Sequence, residues 1–342
     1  MFNRIAIRIP NWVGDAVLSI PFVELTRKYF KKSKIFLVMR KNVKDIFINN
    51  PYFDKLIIID DKKHGIFSAI KTGISLRKYK FDLFFSLPDS FSSALILFLS
   101  GSKIRVGYKN EARNFLLNFK LNKPEKVIHR AKKYLNLLYN FLEKNNLKFE
   151  KIEKPIAKVF LKKSEILSAK RILKKIKGIK IGINPNANAS SRRWFKERFA
   201  MLSDKILENF NNTNIIFFGS KNEKEYVDCV VKLIKKPVYN FAGKLTLREY
   251  IAILKELDIF ITNDTGPMHL ANLVGTPVIA IEGAADIRET GMLNPGIKIY
   301  INKNLPCSPC VKNKCPFNLE CLYAISVNDV FNIVKNLLKS KF

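Results

Sequence analysis

The chain has 342 residues, 47% of them apolar, which is enough for two α/β domains with real cores and excludes global disorder. A formal net charge of +32 makes any macromolecular partner an anionic one: nucleic acid, an anionic membrane surface or a polyanionic substrate. Nucleic acid is not expected, because the lysines are scattered over many helices and no nucleic-acid-binding motif is present. The apolar run Phe91–Leu99 is about half a membrane span, and a strand begins at once without a signal-peptide core, so the protein is expected in the cytoplasm.

Strands and helices are predicted to alternate along the chain. A strand over Arg4–Ile9 leads through the turn P-N-W-V-G-D into a helix over Ala16–Phe30. Further strands are Ile35–Met39, Leu56–Ile59, Leu83–Ser86 and Ile104–Gly107. A helix over Val127–Asn145 carries Ala131, Leu135, Leu138 and Leu142 on one side. His64, in a charged turn, and His129, at a helix start, have no partner in sequence and read as solvated. The charged, proline-containing stretch Lys148–Lys163 reads as a connection between domains.

The alternation then resumes. A helix from Ser164 ends at Gly178, and strands follow at Ile179–Ile183, Ile215–Phe218, Val238–Phe241, Ile259–Ile261 and Val278–Ile281. Thr246 and Glu249 form a capping box. A last helix, Val327–Lys339, shows an apolar stripe at Val327, Val330, Val334, Leu337 and Leu338. The expected fold class is α/β: two Rossmann-like, doubly wound parallel-sheet domains facing across a ligand cleft at the carboxyl ends of the strands. The expected divisions are 1–155, 156–325 and a C-terminal helix over 326–342.

One stretch organises the second half, Asp258–Gly283, DIFITNDTGPMHLANLVGTPVIAIEG. Its apolar strand, the turn Asp264–Thr265–Gly266 and Pro267 at the first helical position form a strand–helix–strand unit. Such a turn aims backbone N–H groups and the positive helix end at the space above the strand, where a phosphate fits. Asp264, Thr265 and His269 would surround it. The plain alternative is an ordinary crossover whose Asp and Thr cap the helix.

D-T-G-P-x-H-x-A followed by G-T-P-V-I-A-I-x-G closely resembles the C-terminal signature of the heptosyltransferases, glycosyltransferase family 9. R-I-P-N-W-V-G-D-A-V-L-S-I-P, around Asp15, resembles the family's N-terminal signature. The resemblance implies a GT-B architecture and metal-independent, cofactor-free, inverting transfer of heptose from ADP-heptose to an acceptor in the lipopolysaccharide inner core. Within the family, the P-N-W-V-G-D variant and a cysteine-rich tail look more like the members that add the second heptose. The acceptor is anionic and lipid-anchored, so a basic N-terminal domain in peripheral contact with the inner membrane is expected. A final helix crossing back onto the N-terminal domain is also expected of this enzyme type.

Carried over residue by residue, the resemblance makes Asp15 the general base, against the alternative of a plain N-cap. In the loop N-P-N-A-N-A-S-S-R-R-W, Asn184–Trp194, small polar residues such as Asn186 suit close approach to a phosphate. The family carries Lys two residues before the Trp; here Arg192 supplies the charge with a forked donor set. Glu223 resembles a family glutamate near the nucleotide, and Leu245 an apolar residue packed on the adenine. A favourable charge at a surface helix start is the alternative for Glu223, and a core position for Leu245. A non-catalytic sugar-nucleotide-binding relative would keep the D-T-G turn and lose the base; Asp15 argues against it.

Cys307, Cys310, Cys315 and Cys321 form C-x2-C-x4-C-x5-C, a spacing that allows a structural zinc, with reduced, partly buried thiols as the alternative. Cys229, on a predicted helix, reads as core. No G-x-G fingerprint is present. Gly291 and Gly296 have the phosphate-loop spacing, but Ile297 stands where Lys is required, and there is no D-x-D pair of the metal-dependent sugar transferases.

Overall fold

The computed structural model describes residues 2–59 and 65–341, so His64 lies outside the described residues. The chain forms two compact units, Met1–Phe160 and Leu161–Phe342. The division falls at 160/161 rather than the expected 155/156 because the intervening residues are fastened to the first unit. Ala157 is buried, the Phe160 ring meets Tyr52 edge-on at 5.8 Å, and the Phe160 carbonyl accepts from the Asn49 amide.

The first unit has six parallel strands: β1 (Arg4–Arg8), β2 (Lys34–Arg40), β3 (Lys55–Ile59), β4 (Leu83–Ser86), β5 (Ile104–Tyr108) and β6 (Phe119–Leu121), ordered β3-β2-β1-β4-β5-β6. The central strands are apolar on both faces, as a parallel sheet covered by helices requires; Ile5, Ala6, Ile7, Leu83, Phe84 and Phe85 are fully buried. The order reverses between β1 and β4, so the loops after these two strands diverge and leave space above their carboxyl ends.

The second unit repeats the plan with β7 (Ile179–Asn184), β8 (Thr213–Phe217), β9 (Tyr239–Asn240), β10 (Ile259–Asn263), β11 (Val278–Ile281) and β12 (Lys298–Ile301). Their order is β12-β11-β10-β7-β8-β9, every pair parallel. Here the reversal lies between β7 and β10, under the loops that carry Arg192 and Asp264. The predicted α/β class, with two doubly wound parallel sheets, is the observed one.

Three details depart from the sequence reading. The short edge strands β6 and β12 had no expectation. The helix expected over Ala16–Phe30 is two, Val13–Leu18 and Ile20–Tyr29. Pro21 lacks the N–H that a continuous helix would use, and the Ser19 hydroxyl donates to the Ala16 carbonyl at the break. Most consequential, the C-terminal helix, Val327–Lys341, expected as a separate division, is part of the second unit. Val330, Phe331, Val334 and Leu338 share one buried cluster with Phe199, Leu202 and Ile206 of the helix Lys196–Asn209. Among the described residues no helix is long and apolar enough to cross a membrane.

Candidate active site

In the second unit the site is built from loops leaving neighbouring strand ends. β7 and β10 are paired, so the loop Pro185–Arg193 and the turn Asp264–Thr265 start side by side. Asn263, fully buried at the end of β10, clamps them together. Its Oδ1 accepts from the Trp194 N–H (3.0 Å) and its Nδ2 donates to the Pro185 carbonyl (2.8 Å). Trp194 is itself fully buried, with Nε1 donating to the Ile325 carbonyl at 3.1 Å. Held this way, Arg192 reaches Asp264, Nη1 to Oδ2 at 2.9 Å, with the Asp264 side chain 4% exposed and Arg192 26% exposed. One guanidinium edge is thereby oriented by a buried carboxylate while part of the cation stays accessible to an anion.

Thr265 occupies the N-cap position of the helix Gly266–Leu273 with no side-chain cap bond, so the plain capping alternative does not describe it. Pro267 stands in the first turn, and His269 is buried in the same helix. Asn186, nearly buried, donates to Glu223 Oε1 at 2.9 Å, while Glu223 Oε2 accepts the Ser220 N–H at 2.7 Å in a capping box. Glu223 thus both caps its own turn and ties it to the β7 loop. Leu245 is half-buried just before Thr246, which caps the helix Leu247–Leu254.

In the first unit Asp15 lies in the first turn of Val13–Leu18, whose N-cap is the exposed Trp12, so Asp15 is not the cap. Its Oδ1 pairs with Arg130 Nη1 at 2.9 Å, and the two side chains are 17% and 27% exposed. One turn along the same helix, Arg130–Lys144, Lys133 Nζ pairs with Asp89 Oδ2 at 2.6 Å. Asp15 follows β1 and Asp89 follows β4, so one helix holds two carboxylates over the reversal point of the sheet. His129 caps that helix, its Nδ1 accepting from the Ala131 N–H at 3.3 Å.

The sequence profile of glycosyltransferase family 9 (heptosyltransferase) matches residues 69–320. The chain is similar to lipooligosaccharide heptosyltransferase 2 of Campylobacter jejuni, 30% identical with 98% of this chain and 99% of that one covered. The chain belongs to glycosyltransferase family 9. Two solved structures share the fold. A family 9 glycosyltransferase from Veillonella parvula superposes with a TM-score of 0.83 at 22% identity, covering 99% of this chain and 98% of that one. The Escherichia coli ADP-heptose lps heptosyltransferase II superposes with a TM-score of 0.81 at 21% identity, covering 99% of both chains.

The cysteine-rich segment of this family 9 enzyme is tied to the loops of the second unit. Among the described residues no group of three or more His, Cys, Asp or Glu side chains is arranged to hold a metal ion. The segment is fixed by hydrogen bonds. Ser308 donates to the Gly283 carbonyl, the Val311 N–H to the Ala284 carbonyl, and the Ser191 hydroxyl to the Lys312 carbonyl. Cys321 is packed under Gly283, where an added Cβ would stand 3.0 Å from its sulfur. The segment therefore braces the Arg192 loop from behind. Cys229 is exposed, not core: it is on the outer side of Lys224–Lys232, whose buried residues are Val227 and Val230.

Sequence reasoning missed Asn263, Arg130 and Glu282. Glu282 directly follows β11, is 1% exposed, and among the described residues neither carboxyl oxygen has a hydrogen-bond partner. Burial, followed by the nearby Asp264 carboxylate, lifts its pKa to about 9, against the opposing pull of Arg192. A glutamate closing an otherwise apolar strand was the visible signal.

Proposed function

We propose that this family 9 glycosyltransferase moves heptose from ADP-heptose onto an anionic inner-core acceptor of lipopolysaccharide, adding the second heptose. The observation that carries the reading is the clamped Arg192–Asp264 pair at the start of the helix Gly266–Leu273. A cation oriented by a buried carboxylate, beside the positive end of a helix, suits the pyrophosphate of a nucleotide sugar. Asn186, Glu223, Thr265 and His269 complete the donor site around it, with Leu245 against the base.

In this reading the acceptor hydroxyl oxygen attacks the anomeric carbon of heptose. The bond from that carbon to the phosphate oxygen breaks, and its electron pair leaves with ADP. Arg192 and the helix start stabilise the charge gathering on the departing diphosphate. The acceptor's proton passes to Asp15, which Arg130 orients, and a positioned base of this kind contributes about 10²–10⁴-fold. A single displacement inverts the anomeric centre. The reaction takes place at the inner face of the cytoplasmic membrane, where the net charge of +32 draws the protein to anionic lipid and acceptor.

The test incubates the full chain with ADP-heptose and two acceptors, one bearing a single heptose and one bearing none. The expected result is ADP release with one heptose added to the mono-heptosylated acceptor. Transfer only to the bare acceptor would reassign the step, and transfer to neither would refute the reading.

A further inference from the structure

β10 and β11 run in register, Asn263 opposite Ile281, so Asp264 and Glu282 leave the sheet together at its carboxyl edge. The Asp264 N–H donates to the Ile281 carbonyl at 3.2 Å and the Glu282 N–H to the Ile301 carbonyl at 3.0 Å, which fixes both backbones. Asp264 is paired with Arg192, whereas Glu282 is equally buried and has no hydrogen-bond partner among the described residues. A buried carboxylate without a donor is costly, and a second negative charge beside Asp264 adds to the cost.

Among the described residues, four charged or titratable groups bear on Glu282. They are Asp264 at the end of β10, Arg192 from the loop after β7, Asp286 at the cap of Ile287–Thr290, and Tyr300 on β12. Asp286 is matched by its own cation, Arg288 Nη2 at 2.7 Å. Burial, with smaller contributions from Glu282 and Asp264, holds the Tyr300 hydroxyl up at about 12. Among these groups Arg192 is therefore the cation whose balance the charge of Glu282 decides. With Glu282 neutral, Arg192 faces one carboxylate and keeps an attraction for a further anion; with Glu282 ionised it faces two.

We propose that Glu282 is a positioning residue of the nucleotide-sugar site, a buried carboxyl whose charge sets how much of Arg192 is left to an anionic ligand. The proposal rests on the reading of the second unit as that site. Linkage fixes the direction. A bound diphosphate makes Glu282 hold its proton more tightly, so raising the pH through its titration must weaken diphosphate binding. A bound-state pKa higher by one unit corresponds to a tenfold loss of affinity once the group is ionised.

The test is calorimetry on the full chain with ADP and, separately, inorganic pyrophosphate, from about pH 7 to pH 10.5, for wild type, Glu282→Gln and Glu282→Met. Wild type is expected to lose affinity for both ligands about tenfold more than either variant over that range. A purely structural role for Glu282 would not separate the pH profiles. Superimposable profiles for wild type and both variants would overturn the proposal. Wild type that binds neither ligand at pH 7 would overturn the site reading beneath it.

Discussion

The two units share one strand order, and each sets an arginine against an aspartate above its sheet, yet the two pairs differ in burial. In the second unit Asp264 is 4% exposed and is locked to Arg192 by a loop that Asn263, Trp194 and the cysteine segment all brace. In the first, Asp15 and Arg130 are 17% and 27% exposed, on a short helix whose cap is an exposed Trp. In the proposed mechanism the same kind of ion pair therefore serves opposite ends. A buried carboxylate orients a cation, leaving the cation as the working group. A partly exposed carboxylate remains open to a substrate hydroxyl, with the cation as its support.

The comparison is broken most severely at Asp15. Asp15→Asn should lower turnover by roughly a hundredfold or more, with ADP affinity changed less than about twofold, in steady-state rates and calorimetry. Asn keeps the size of Asp and can still accept from Arg130, so loss of the partly buried ion pair should cost only about 1 kcal/mol of stability and the defect would be chemical. An Asn variant with normal turnover would remove Asp15 from the chemistry.

At Arg192 the expected loss is somewhat smaller but divided differently. Arg192→Ala should reduce turnover by about 10²–10³-fold, as for removal of a charge-stabilising donor, and should also destabilise the fold because the buried Asp264 loses its arginine. Adding Asp264→Asn should restore much of that stability and none of the turnover. Recovery of both would mean that the pair is structural only.

The smallest effect concerns Glu282 and is read as stability against pH. The carboxyl has an ordinary value of 4.5 when unfolded and about 9 when folded. Between those values the folded state holds a proton that the unfolded state has released, so stability falls as pH rises. The melting temperature of Glu282→Gln should therefore gain on wild type by at least about 2 °C between about pH 5 and pH 8. A constant gap would show that the buried carboxyl does not hold its proton.

Much of this was legible in sequence for a physical reason. Apolar runs bounded by Gly, Pro and Asn mark buried parallel strands, and a helix start after a strand end marks the turn carrying Asp264, Thr265 and Gly266. Local signals fail where a residue's meaning depends on a distant partner. Asn263 became a clamp only when β10 was set beside β7, and Glu282 became an unpaired acid only beside Asp264. Nothing in the stripe Val330–Val334–Leu338 says that it covers Phe199, Leu202 and Ile206, which only the fold brings beneath it. Cysteine spacing likewise gave no sign that the serine and carbonyls between the cysteines have hydrogen-bond partners in the Arg192 and Gly283 loops.

The most direct measurement of the division between the units is hydrogen–deuterium exchange on the full chain with and without ADP. Slowed exchange is predicted in residues 184–194 and 264–273, with no change in the backbone around Asp15. Slowing confined to residues 9–18, with the second-unit loops unchanged, would contradict the account.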